Sequence, residues 1–294
     1  MLCEKQRLSE NSAKYQKIGD NLELIKCNEV IREFSELIKN KKCNPYEGEL
    51  KVGVDLGTAN IVLSVVDSNN RPVAGAMYPS SVVKDGIVVD YIGATRAVRD
   101  LKEQVESILG VPLTKAATAI PPGITDGNTK VIANVVESAD MEVVNVIDEP
   151  TAASCVLGIT DGAVVDVGGG TTGISIIKDG KVVFTADEPT GGTHMTLVLA
   201  GFMKQSFEEA EVVKKDKSQE KDVFTIVKPV VEKMASIVNK YIQGYDVETI
   251  YVVGGACCFS EFEKIFKKEI KVETIKPIEP LLVTPLGIAM NCSI

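Results

Sequence analysis

The chain has 294 residues, 45% of them apolar, enough to bury a substantial core in one large domain or two modest lobes. Its formal charge of -9 argues against a nucleic-acid face, and no basic stripe relieves it. No run reaches about 18 apolar residues, the N-terminus lacks an apolar signal core, and seven cysteines without metal-ligand spacing fit a reducing compartment, so a cytoplasmic protein without a membrane partner is expected.

Residues 1–48 stand apart as a leader and linker. They carry nine basic and eight acidic residues, so the acidity belongs to residues 49–294. Over Asn21 to Asn40, Leu22, Ile25, Val30, Phe34, Leu37 and Ile38 recur at roughly helical spacing, and Asn40 to Gly48 reads as a helix stop and tether. A lone helix of this length is marginal in water, so it must dock on its own first lobe or on a partner.

From Lys51 to Val73 the chain reads as a strand ending in Asp55, a glycine turn, and a second strand. Tyr78 to Asp90 is a short β excursion, Gly93 to Leu109 an amphipathic helix stopped by Gly110, Ala116 to Ile120 a buried strand, Thr129 to Ala139 a helix and Val143 to Ile147 another strand. Asp148-Glu149-Pro150 then opens a helix with Ala152-Ala153, closed by Gly158; an acid and a proline suit the first helical turn. This alternation predicts a mixed α/β sheet.

Gly162 to Phe184 repeats the first hairpin at an offset of 111: Val54, Asp55, Gly57 and Ser64 fall on Val165, Asp166, Gly168 and Ser175. Two hairpins, each ending its first strand in a carboxylate, make a jaw whose glycine turns let backbone amides approach phosphate oxygens, while the aspartates hold magnesium through its waters. Gly168 to Gly173 also satisfies G-x-G-x-x-G, with Asp187 downstream. A dinucleotide site needs that loop to open a helix, however, and alternating β-branched residues around Asp179-Gly180 predict a hairpin instead. No P-loop motif is present.

Beyond the second hairpin, a glycine turn at Thr190 to Thr196 opens a helix expected to run to about Glu209, and Glu211 to Asp222, with eight charges in twelve residues, is expected as an exposed loop. Lys228 to Ile242 is read as a helix with Pro229 in its first turn, Ile250 to Ala256 as a strand running into paired glycines, Phe259 to Phe266 as a short helix, and Thr284 to Met290 as a final small-residue helix. Adjacent Cys257 and Cys258 read as packing residues.

Five segments in order, Val52 to Asn60, Asn145 to Ser154, Ala163 to Gly173, Ile250 to Ala256 and Pro285 to Met290, resemble the signatures of the actin/Hsp70/sugar-kinase ATPase superfamily. Within it, the phrases DGIVVD, PPGITD, ESADMEV, TADEPTGGTH and VKPVVEKMASIV resemble the ethanolamine-utilisation protein J family. The resemblance implies an actin/Hsp70-like fold of two ribonuclease-H-like lobes, 49–158 and 159–284, with a helix at about 285–294 returning to the first. It implies ATP and Mg2+ in the cleft between them. Gly57, Thr58, Ala59 and Asn60 would cradle phosphates from one side and Gly168, Gly169, Gly170, Thr171 and Thr172 from the other. Asp55 and Asp166 would anchor hydrated magnesium, Glu149 would polarise water, Gly254 and Gly255 would lie under adenosine, and Glu232 and Lys233 would reach its ribose and base. Lys84 is the one lysine in the reduced segment where chaperone relatives carry a catalytic lysine, with no context to assign it, and His194 beside its glycine turn reads as a hydrogen-bonded cap. The implied role is a slow ATPase acting as chaperone or reactivating factor on ethanolamine-utilisation enzymes or microcompartment shell proteins. A self-associating nucleotide-binding scaffold and a small-molecule kinase are the alternatives, and sequence alone does not choose among them. No peptide-binding domain follows the ATPase body, so a complete Hsp70 is not expected.

Overall fold

A computed structural model of the chain describes residues 24–293. Leu22 and the start of the expected leader helix lie outside the described residues. A helix, α1, covers residues 24–40. β1 (Lys51–Leu56), β2 (Asn60–Val66) and β3 (Pro72–Pro79) form a meander, and the small hairpin β4 (Val83–Lys84) and β5 (Ile87–Val88) leads into α2 (Tyr91–Leu109). β6 (Lys115–Ile120), α3 (Asp126–Glu137), β7 (Glu142–Asp148) and α4 (Glu149–Leu157) complete the first half.

The second half repeats the plan with β8 (Gly162–Val167), β9 (Thr172–Lys178) and β10 (Lys181–Glu188), then α5 (Gly192–Met203), α6 (Phe207–Lys215), α7 (Glu220–Ile242), β11 (Thr249–Val253), α8 (Phe262–Ile270), β12 (Glu273–Ile275) and α9 (Val283–Met290). The two five-stranded sheets have matching orders, β3-β2-β1-β6-β7 and β10-β9-β8-β11-β12. The offset of 111 survives into the pairing, with Gly53 opposite Ser64 and Val164 opposite Ser175. Asp179 and Gly180 both take left-handed φ values (51° and 69°), as a two-residue hairpin turn requires, so the glycine-rich loop does feed a strand rather than a helix.

Each sheet has its own apolar core, and a third cluster joins them. That third cluster contains α4 and α9, which pack on one another while α9 lies on β1 and β2 and α4 on β8 and β9. Helix α1 joins the same cluster through Cys27, Ile31 and Phe34, so its apolar face docks on the protein itself. The buried stripe is Cys27, Ile31, Phe34 and Leu37; Ile25, assigned to it from spacing, is 54% exposed.

The region between β10 and β11 differs from the sequence reading. Left-handed Lys204 ends α5 early, and Ser206 starts α6 with a capping box to Glu209. The run Glu211 to Asp222 is mostly ordered helix because its charges pair at helical spacing, Lys214 and Lys215 with Glu211 and Lys217 with Glu220. α7 begins at Glu220, with Pro229 in its interior. Buried Val223, Phe224 and Val227 continue the apolar face ahead of the proline, which keeps the first turns seated. The strand after α7 ends at Val253, and α8 starts three residues later than read, at Phe262.

Candidate functional site

Between the lobes lies a cavity of about 430 Å³. Its first wall is the turn from Gly57 to Asn60, where β1 reverses into β2; a Cβ on Gly57 would come within 2.7 Å of the Asn60 carbonyl oxygen, so this sharp reversal admits no side chain. Its second wall is Gly168 to Thr171. The N-terminus of α5 holds that turn from behind: Gly192 N–H donates to the Gly168 carbonyl (2.9 Å) and Thr193 N–H to that of Gly169 (2.7 Å). The two turns face each other closely, since a Cβ on Gly169 would meet the Thr58 side chain at 3.1 Å. The Asp85 hairpin tip of the first lobe lies against Gly170 in the same way.

Asp55, Glu149 and Asp166 all line this cavity, together with Gly57, Thr58, Ala59, Asn60, Gly168, Gly169, Gly170, Thr171, Gly254 and Gly255. Asp55 and Asp166 end β1 and β8, and Glu149 opens α4 behind the Asp148 cap, which accepts from Thr151 N–H at 3.0 Å. Gly254, at φ 92°, turns the chain so closely under Asp166 that a Cβ would lie 2.3 Å from its carboxylate.

Three assigned residues lie elsewhere. Thr172 is buried behind the turn and donates to the Thr190 carbonyl at 2.6 Å. Glu232 and Lys233 lie mid-way along α7, where Glu232 pairs with Lys228, and neither lines the cavity. Their wall is taken by Glu211, Lys214 and Lys215 of α6 and by Lys217 and Glu220, because α6 and the longer α7 put the charged run at the cleft. Lys214 Nζ donates to Glu211 (2.6 Å), Thr196 Oγ1 (2.7 Å) and the Gly192 carbonyl (3.1 Å), a fixed cation at the foot of α5. Burial lowers its pKa, while Glu211, itself opposed by burial, is held below its usual range by Lys214. His194 Nδ1 accepts from Gly191 N–H at 3.4 Å and is a cap, and exposed Lys84 does not line the cavity.

Two further groups at the site are missed by reading the sequence. Asp187, which the sequence offers only as a candidate dinucleotide ribose ligand, ends β10 beside Thr171, and its buried Oδ1 has no hydrogen-bond partner. Thr284 of α9 donates to Asp166, linking a helix packed on the first sheet to the carboxylate of the second. A polar residue between the second hairpin and its glycine turn, and a threonine beside Pro285, are the available signals.

The electrostatics give a second view of the cavity. Burial, then the neighbouring Asp166 charge, pushes the Asp55 carboxyl up to about 7; burial pushes Asp166 to about 6 against the Thr284 bond, and Asp187 to about 6 against a bond from Thr171. Glu149 is raised well above its ordinary value, first by burial and then by Asp166, Asp55 and Asp187. Among the described residues no lysine or arginine contributes to these shifts. A cluster of four carboxyls with an orphaned oxygen is short of positive charge, which a divalent cation would supply. No three of the described acidic, thiol or imidazole side chains converge tightly enough to ligate a bare ion, so the fit is to a hydrated one.

The Hsp70 protein family matches residues 90–240. The ethanolamine utilization protein EutJ of Salmonella typhimurium is 45% identical over 82% of this chain and 85% of its own length. The chain belongs to the EutJ family. A solved EutJ structure from Carboxydothermus hydrogenoformans is 51% identical, covering 91% of this chain and 98% of that one at a TM-score of 0.87. The fold extends to MreB 5 of Spiroplasma citri, solved bound to AMPPNP, at 17% identity and a TM-score of 0.64, covering 83% and 96% of the two chains. This is the actin/Hsp70-like ATPase fold, in a member of an ethanolamine-utilisation family. None of the described helices is long and apolar enough to cross a membrane.

Proposed function

We propose that this EutJ-family protein is a cytoplasmic ATP-binding chaperone or reactivating factor for ethanolamine-utilisation enzymes, associated with their microcompartment and coupled to slow ATP turnover. The observation that carries the reading is the pair of strand-end aspartates, Asp55 and Asp166, each followed by a glycine turn and both turned into one cavity. The amides of Gly57, Thr58 and Ala59 on one side, and of Gly168 to Thr171 on the other, would bind the β- and γ-phosphates. Asp55 and Asp166 would hold Mg2+ through its waters, and Glu149 would orient a water for attack. Bound magnesium would supply the positive charge that phosphoryl transfer requires. Lys214 and Glu211 would take the nucleoside end, beside Gly254 and Gly255. Lobe closure around ATP would change the protein's grip on a client.

The lysines among the described cavity residues, Lys214, Lys215 and Lys217, all belong to the wall made by α6 and the approach to α7, which supports turnover well below the roughly 1 to 100 per second of kinases. Glu149→Gln should lower steady-state phosphate release at least about tenfold while changing ATP affinity little, because its contact matters mainly in the transition state. Equal losses in both would make Glu149 a structural cap. Lys214→Met should weaken binding of ATP and ADP alike, by about tenfold, through loss of one fixed charge-assisted contact. An unchanged dissociation constant in calorimetry would remove Lys214 from the nucleoside site. Client action is tested by ATP-dependent recovery of inactivated ethanolamine-utilisation enzyme activity. ATP-dependent pelleting of this protein alone, with no such recovery, would favour the scaffold reading.

A further inference from the structure

Helix α1 packs against both lobes and contributes no residue to the cavity lining. On the first-lobe side the Phe34 ring presses on β3, where a Cβ on Gly75 would come within 2.5 Å of it. Glu33 accepts there from Asn44, whose amide also donates to the Pro72 carbonyl at 3.0 Å. On the second-lobe side Asn28 Oδ1 accepts from Ile278 N–H at 2.9 Å, and Lys39 pairs with Glu279 at 3.1 Å. A helix serving only to cover one lobe would be bonded to that lobe alone.

The cluster that receives α1 reaches the carboxylates. Val62 and Val253 belong to it, and they are the cross-strand neighbours of Asp55 and Asp166 respectively. Val62 also lines the cavity. Packed clusters switch between discrete arrangements more readily than they stretch, so rotation of the lobes about α4 and α9 must unseat α1 from one side or carry it along.

We infer that α1 is a strap across the hinge that sets the separation of the Asp55 and Asp166 strand ends, and with it the width of the nucleotide cleft. It is a positioning element; none of its residues touches the cavity. The inference rests on the proposed nucleotide site only where affinity is the readout.

The test uses the full chain with two variants. Asn28→Ala/Lys39→Ala releases the second-lobe side without touching a fully buried side chain, and Phe34→Leu loosens the first-lobe side. Hydrogen exchange of the nucleotide-free protein is read at the turns Gly57 to Asn60 and Gly168 to Thr171 and inside the sheets at Ala116 to Ala119 and Val164 to Val165. Both variants should exchange at least about tenfold faster at the turns with the sheet interiors unchanged. A fluorescent ADP analogue in magnesium buffer should bind about tenfold more weakly. Uniform acceleration across turns and sheets would mean that α1 only adds stability, and unchanged turns in both variants would mean that it holds nothing across the hinge; either result overturns the strap. Failure of the wild type to bind the ADP analogue would defeat the nucleotide reading, while the exchange data would still decide the role of α1.

Discussion

Asp55→Asn and Asp166→Asn should each make the metal-free protein more stable at pH 8 while costing it roughly tenfold to a hundredfold in magnesium-dependent nucleotide affinity. The two effects come from one cause. Folding raises Asp55 from 3.8 to about 7 and Asp166 to about 6, so between about pH 4 and 7 the folded protein holds more protons than the unfolded chain. By linkage, stability then falls as pH rises through this window, and the penalty is complete above the folded pKa values.

A tenfold change in proton affinity corresponds to about 1.4 kcal/mol, but the cleft is open to water and screens the cluster, so a cost of about 1 to 3 kcal/mol per aspartate is expected. Melting temperatures of the wild type in a chelator should therefore fall between pH 5.5 and 8. The slope should flatten in either asparagine variant, and also when magnesium and nucleotide are added to the wild type. The charges facing these groups come from Glu149 on α4 and Asp187 on β10, and among the described residues no basic side chain offsets them. Asparagine variants less stable than wild type at pH 8 would instead make the aspartates structural caps of their turns, and the functional reading of the jaw would fail with them.

Much of this was legible because the site is built from turns. Two hairpins of like sequence, each with an aspartate one residue before its last strand position and glycine after it, fix the local geometry and bring both carboxylates to one cavity, and their common offset reappears in the strand register. The hairpin after Gly168 to Gly173 was readable against a competing motif because β-branched alternation and Asp179-Gly180 are local signals. The cavity wall formed by Glu211, Lys214 and Lys215 was not readable in that way. The run from Glu211 to Asp222 looks like solvated charge when counted, yet its Glu-Lys pairs fall at helical spacing and its cap is the Ser206/Glu209 box, so it folds as α6 and the start of α7. Moving the helix start eight residues earlier than Lys228 leaves Glu232 and Lys233 too far along α7 to reach the cleft. Asp187 and Thr284 were hidden for a different reason: each acts through a long-range contact, with Thr171 and Asp166, that no spacing in one chain reveals. The same holds for α1, whose amphipathic pattern announced a docking helix but not that it bridges two lobes.

Gly287→Ala should be among the most damaging single-methyl changes in the protein. α9 and α4 cross there, and a Cβ on Gly287 would lie 2.0 Å from the Ala152 carbonyl oxygen and 2.5 Å from its carbonyl carbon. Those atoms are backbone of α4, so no flexible side chain can move aside; the helices must separate. α9 cannot simply retreat, because its other side rests on β1, where Gly53 leaves room for the backbone of Ala289. Overpacking of this kind costs about 1 to 3 kcal/mol when neighbours can adjust, and more when they cannot, so a loss of roughly 3 kcal/mol is expected. The crossing lies one turn from Glu149, so phosphate release should also fall in the fraction that remains folded. Gly201 provides the contrast. It lies in α5 with no atom within 4 Å of where its Cβ would be, and Gly201→Ala should stabilise by up to about 1 kcal/mol through helix propensity. Thermal melts of the two variants beside wild type decide the matter. A Gly287→Ala protein melting within a degree of wild type would show slack between α4 and α9, and the tight crossing argued from Gly287 and Ala152 would have to be abandoned.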